Sequence, residues 1–244
     1  MCGRFVQATD PYVLAEILGA VADSTHDRFS PRFNIAPSTN VIVMRDDDHR
    51  RALTTMSWGF VPKWTQQKSL SQRLANARSE TAWEKPSFRH AMRSGRCILP
   101  IDGFYEWAPA THDGPRSASG KPAKRPHYFR RADGAPLLVA AMCELERGDG
   151  RLPPGGSAVC LLTTGPNDTM RPIHDRMPVI LEPSDVDAWL TCEPDDAREL
   201  LDVLLRPAGP SVLNEHEVSI DVNNARNEGA HLTEVTVGPE GTLF

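Results

Sequence analysis

Apolar positions in this chain recur mostly at alternate residues or in short unbroken runs, the periodicity of strands. Residues 41–44 read as a strand, RDDDHR as the turn after it, and residues 52–60 as a second strand running into WGFVPKW. RCILPIDGFYEW, at 96–107, reads as one buried strand that ends in aromatics. Further strands are predicted at 127–131, 136–145 and 158–164, and the last two at 218–222 and 233–237. Helical spacing is confined to short segments. Residues 11–22 predict a helix with Asp10 as N-cap and Pro11 in its first turn. Shorter helices are predicted from Ser79, over 87–93, over 183–190 and over 195–205. Strands outnumber helices and rarely alternate with them, which favours an α+β, mainly antiparallel domain over a doubly wound sheet.

The chain shows no internal repeat and no dinucleotide-type or P-loop glycine pattern. The Pro/Gly/Ser-rich stretches at 108–126 and 146–157 read as flexible surface excursions between strands, so 1–244 is expected to be a single domain. No apolar run nears the ~18 residues of a membrane span, and no basic-then-apolar leader opens the chain. The five cysteines, Cys2, Cys97, Cys143, Cys160 and Cys192, are odd in number, widely spaced and without a CxxC. That argues against a disulfide frame and a zinc site and for a reducing, cytoplasmic setting. A net charge of −5 is unlike a general polyanion binder. Nucleic-acid contact would need a local cluster, for which Arg4, Arg32, Arg78 and Arg176 are available.

Candidate chemistry begins at Cys2. Removal of Met1 would leave a cysteine with a free α-amine and a thiol on neighbouring carbons, able to attack one aldehyde carbon twice and close a thiazolidine. The alternative is a buried small residue in a first strand. In NARSE, Asn76 and Arg78 share a face if the backbone is extended, offering an amide for a substrate oxygen or amine and a guanidinium for phosphate; otherwise they form an Asx turn and a surface arginine. Glu106 ends an apolar strand, surroundings that suit a general acid/base, or else it pairs with a surface cation. His174 and Arg176 flank Asp175 before a core strand and suit proton transfer and phosphate binding; a turn histidine satisfied by Asp175 is the alternative. Trp58 and Trp64 are candidates for base stacking, or for closing a sheet edge in the core.

MCGRF, RFNIAPS, WGFVPKW, NARSET, DGFYEW, IHDRMPVIL and VSIDVNN occur in an order that resembles the SRAP (SOS response-associated peptidase) family of abasic-site processing proteins. The resemblance runs from Cys2 to about Asn224 and implies a barrel-like core with short flanking helices. It implies a monomeric DNA-damage response protein that crosslinks covalently to abasic sites in single-stranded DNA, with no cofactor, metal or membrane. A replication-fork partner stays open. Cys2 would be the nucleophile, Asn76 the residue positioning the sugar and amine, Glu106 the acid/base beside the amine, and His174 the proton donor at the sugar ring oxygen. Arg4, Arg78 and Arg176 would contact phosphates, and Pro37 and Trp58 would wedge apart the flanking bases. The family is also named for a proposed peptidase activity, and whether that is limited to self-removal of Met1 stays open at the level of sequence. Class II glutamine amidotransferases also begin Met-Cys-Gly, so an N-terminal-nucleophile amidohydrolase is the alternative; no RGPD-type glutamine-site stretch is present.

Overall fold

The computed structural model describes residues 2–47, 49–60, 74–110, 120, 122, 124–145, 157–193 and 197–236. Trp64 and most of the two expected excursions (111–119, 121, 123 and 146–156) lie outside the described residues. The strands form two sheets. The first is antiparallel throughout, with β1 (Arg4–Gln7), β2 (Arg32–Ile35), β7 (Gly103–Ala108), β8 (Arg125–Arg131) and β13 (Leu213–Glu217) in the spatial order β13-β8-β7-β1-β2. The second holds β3 (Asn40–Asp47), β4 (Arg50–Trp58), β5 (Asn76–Arg78), β6 (Arg96–Ile101), β9 (Leu137–Glu144), β10 (Ala158–Thr164), β11 (Met177–Pro178) and β12 (Ile180–Leu181). In it β10, β4, β3, β6 and β9 pair in succession, and β9 pairs back onto β10. The ring therefore closes as a small barrel, which leaves few bare strand edges. β10 runs parallel to β4 and β5, so this sheet is mixed; the architecture is α+β with a mainly antiparallel, barrel-like core, as expected.

Alternation along the barrel strands divides the core. On β9, Leu138, Ala140 and Met142 join one apolar cluster, and Leu137, Val139, Ala141 and Cys143 join another. The first cluster includes side chains of α1 (Pro11–Leu18), α3 (Arg89–Ser94), α4 (Val186–Thr191) and α5 (Ala197–Leu204). The second includes Cys2, Phe5, Phe104 and Phe129 at the antiparallel sheet. Burial on both faces explains why β6 and β10 read as unbroken apolar runs.

Several elements depart from the sequence expectation, among them the RDDDHR turn, in which residues 45–47 and Arg50 are strand. α1 stops at Leu18, because Gly19 takes the left-handed conformation (φ 60°) and its N–H bonds back to the Ala15 and Glu16 carbonyls. The strand expected over 96–107 is two strands in different sheets. At the corner, the Asp102 carboxylate accepts from the Ala8 N–H (2.6 Å) and the Thr9 N–H (3.2 Å). The next residue, Gly103, packs so closely that a Cβ there would sit 2.4 Å from the Tyr128 ring. The strand expected at 218–222 lies instead at Leu213–Glu217, and Ile220–Asn223 is a 3₁₀ turn. Ala230–Thr233 is likewise 3₁₀, with no strand following it among the described residues.

Candidate active site

Cys2 stands one residue, Gly3, before β1. The register Arg4↔Tyr105, Phe5↔Phe104, Val6↔Gly103 runs the start of the chain antiparallel past the far half of β7, bringing Cys2 to the neighbourhood of Glu106. Cys2 is fully buried, and its thiol donates weakly to the Arg4 carbonyl (3.8 Å). Burial pushes the thiol pKa far up, and the negative charge of Glu106 adds to the rise. The sulfur is therefore a neutral thiol at pH 7.

Glu106 owes its direction to strand alternation. Tyr105 belongs with Val218 and Val222, whereas Phe104 belongs to the cluster that holds Cys2. Glu106, two residues from Phe104, therefore faces the Cys2 side and is only 3% exposed. Its Oε2 lies 4.0 Å from Nε2 of His174. His174 sits in the loop between β10 and β11, anchored by Asn167, whose Oδ1 accepts from the Met170 N–H (2.9 Å) and whose Nδ2 donates to the Ala208 carbonyl (3.2 Å). Nδ1 of His174 is 3.0 Å from both the Arg176 N–H and the Asp175 carboxylate. A neutral ring accepts the Arg176 N–H at Nδ1, which leaves its proton on Nε2 facing Glu106; a protonated ring donates from Nδ1 to Asp175 instead. The two arrangements differ by one proton, which is what an acid/base residue requires.

Asn76 opens β5 in parallel register with Leu161, so it stands in a strand and not in an Asx turn. Its Oδ1 is buried and accepts no hydrogen bond among the described residues. Ala75, beside it, packs against the Cys2 cluster. A buried acceptor left open costs about 1–3 kcal/mol unless a ligand donor fills it.

The three arginines differ in state. Arg78 is exposed. Arg4 donates from Nη1 to Asn34 Oδ1 (2.8 Å) and to the Val222 carbonyl (2.9 Å). Arg176 makes a two-pronged pair with Glu80 (2.6 and 2.8 Å) and donates to the Thr163 carbonyl (2.6 Å). The Arg176 N–H donors hold the Glu80 carboxyl below the usual carboxylate range. Glu80 and Asn34 are partners that sequence reasoning missed. Glu80 stands in the NARSE motif, the one clue the sequence offered; Arg176 lies 96 residues further on, and only the fold brings the two together.

Pro37 is exposed, on the turn between β2 and β3 that precedes Ser38 (φ 73°). Trp58 corrects the expectation of a base wedge. It is 0% exposed, its ring packs 4.6 Å from that of Phe5, and its indole N–H donates to the Ala75 carbonyl (3.0 Å). It is a core residue that fixes the strand leading to Asn76.

A family model described as SOS response associated peptidase (SRAP) matches residues 1–225. The chain is 31% identical to the abasic site processing protein YoqW of Bacillus subtilis over 236 residues, covering 96% of this chain and 99% of that protein. It is also 31% identical to the abasic site processing protein YedK of Escherichia coli, covering 95% of this chain and 98% of that one. A crystal structure of a protein from Bacteroides thetaiotaomicron superposes with a TM-score of 0.80 at 19% identity, covering 96% of this chain and 100% of that one; it shares the fold.

Proposed function

The chain belongs to the SOS response associated peptidase (SRAP) family, and from that premise we propose that it processes abasic sites in single-stranded DNA during the response to DNA damage, joining them covalently through Cys2. The reading is carried by one juxtaposition: the buried second residue, Cys2, shares a seam with Glu106, and Glu106 stands 4.0 Å from an imidazole nitrogen. The full-length similarity to proteins named for abasic site processing supports the same substrate.

In this mechanism Met1 is first removed, the one hydrolytic step we assign to the family's peptidase activity. His174 gives a proton to the ring oxygen of the deoxyribose, the bond from C1 to that oxygen breaks, and the C1 hydroxyl releases its proton to solvent, opening the sugar to its aldehyde. The Cys2 amine is the first nucleophile, since the buried thiol stays protonated. Its attack on the aldehyde carbon forms a carbinolamine, Glu106 takes the amine proton, and loss of water leaves an imine. The thiol sulfur then adds to the imine carbon while its proton passes to nitrogen, closing the thiazolidine; the net by-product is one water. Asn76 accepts from the amine N–H and keeps it aimed at the carbon. Positioning groups already fixed in space lets modest acid/base help suffice. Arg4, Arg78 and Arg176 take the phosphates, with Pro37 exposed beside the path for a flanking base.

The test is a denaturing gel with purified protein on abasic and on intact single strands, followed by mass spectrometry of the N-terminal peptide. A heat-stable adduct on Cys2 with abasic DNA alone is the expected result; no adduct, or an adduct mapped to another residue, overturns the reading.

A further inference from the structure

Along β1 from the reactive end lies a second basic feature that the chemistry above does not use. A cavity of about 300 Å³ opens between β2, β3 and the segment before β2, lined by His26, Arg28, Ser30, Arg32 and Thr55 among others. Among the described residues that line it there is no carboxylate, although Asp and Glu outnumber Lys and Arg in the chain, 32 to 27. Arg28 is exposed, and Arg32 is held in place by donating to the Asn40 carbonyl (3.0 Å).

The built part of the site is His26. Its side chain is only 3% exposed. Nδ1 faces the Asp23 carbonyl (3.3 Å), the Asp23 carboxylate (3.3 Å) and the Thr25 hydroxyl (3.4 Å), so the one carboxylate beside the ring lies on the side away from Nε2. Nε2, at the opposite side of the ring, is buried and has no hydrogen-bond partner among the described residues. A buried ring nitrogen in a cavity lined by two guanidinium groups and three hydroxyls suits one ligand chemistry, a phosphate with several oxygens to share, to which Nε2 donates in the imidazolium form.

The position says which phosphate. Arg32 pairs with Gln7 on β1, five residues beyond Cys2, which at ~3.3 Å per residue is ~17 Å from the nucleophile. Asn40, whose carbonyl holds Arg32 and which also lines the cavity, is three residues from Pro37 at the same turn. The basic cavity thus continues the surface beyond that turn. At ~3.4 Å per stacked nucleotide, ~17 Å corresponds to about five nucleotides, fewer for a stretched strand. We propose that this cavity is a distal phosphate subsite, which grips the backbone of the bound single strand a few nucleotides from the abasic sugar and so selects substrates with an unpaired flank of that length. The proposal rests on the DNA reading above.

The experiment compares wild type with Arg28→Ala and Arg28→Glu on oligonucleotides whose abasic site is flanked on both sides by two or by eight unpaired nucleotides. Binding is followed by fluorescence anisotropy over a salt series, and adduct on Cys2 by gel in the same samples. Wild type should bind the long oligonucleotides several-fold more tightly than the short ones. Both variants should lose that gain, react normally with short oligonucleotides, and show a log–log salt slope smaller by about 0.7 on the long ones. Variants equal to wild type on long oligonucleotides overturn the subsite, while the gel reports independently on Cys2 chemistry. Inorganic phosphate is the second arm. If it binds wild type tightly and is lost in Arg28→Glu while oligonucleotide length has no effect, the cavity takes free phosphate and the proposal fails.

Discussion

The reactive seam and the arginine rim of this protein are built on opposite plans. Cys2, Glu106 and Asn76 are placed by strands, in register, with one face turned to an apolar cluster. Arg4 and Arg176 are placed by their own hydrogen bonds, which engage Nη1 of Arg4 and both Nη groups of Arg176. The seam is therefore fixed by the backbone, whereas at the rim the Arg176 fork must exchange Glu80 for a phosphate. A phosphate reaching Arg176 competes with the half-exposed Glu80 carboxylate, and the exchange trades one charge-assisted two-pronged pair for another. In the proposed mechanism, geometry for the covalent step would be stored in the backbone and affinity set at the surface.

Perturbations aimed at each plan should separate them. The largest effect belongs to the amine. A form with an uncleaved residue before Cys2, or with Cys2→Ala, should lose the heat-stable adduct altogether while binding intact single strands within about two-fold of wild type. Full adduct formation by the capped form would end the aminothiol mechanism. Glu106→Gln and His174→Ala should slow formation or reversal of the adduct by about 10²–10⁴-fold, with unchanged circular dichroism and melting temperature. Wild-type single-turnover rates in both variants would remove the seam's proton-transfer role.

Trp58→Ala should act on the frame. Loss of a fully buried aromatic is expected to cost about 3–5 kcal/mol in urea denaturation. Were Trp58 a base wedge instead, DNA affinity would fall with stability unchanged. The smallest effect is at the rim. Glu80→Gln frees the Arg176 fork and should raise affinity for single strands about two-fold to five-fold, whereas a fall would mean that Glu80 positions Arg176 for DNA. The same variant has a pH signature. Because Arg176 lowers the folded-state value of Glu80, the pair's stability is present above the unfolded carboxylate value near ~4.3 and is lost as pH falls through the lower folded one. Glu80→Gln should flatten that part of the acid-denaturation curve.

Residues whose surroundings are decided by alternation were legible before any coordinates. Residues 158–164 are a strand with the expected bounds, and Glu106 faces the seam because Phe104 does. What alternation does not encode is where one strand changes sheets. RCILPIDGFYEW reads as continuous because Asp102 contributes through its carboxylate, capping the Ala8 and Thr9 N–H groups, and not through hydropathy. β13 was missed for a related reason. LNEHE has little apolar character, and its pairing is supported by charge, with Glu217 reaching Arg125 and Glu215 reaching His127. Trp58 shows the converse error, since a motif suggested its use and only packing reveals that its ring is enclosed.

The Val222 carbonyl receives both Arg4 and the amide of Asn34, which also donates to the carbonyls of Asn224 and Asn227. This knot joins positions 218 residues apart. A reporter or purification handle spliced in near residue 222 would accordingly disturb the opposite end of the polypeptide, and a chain still emerging from the ribosome could not hold Arg4 in its final pose until almost all of it had been made.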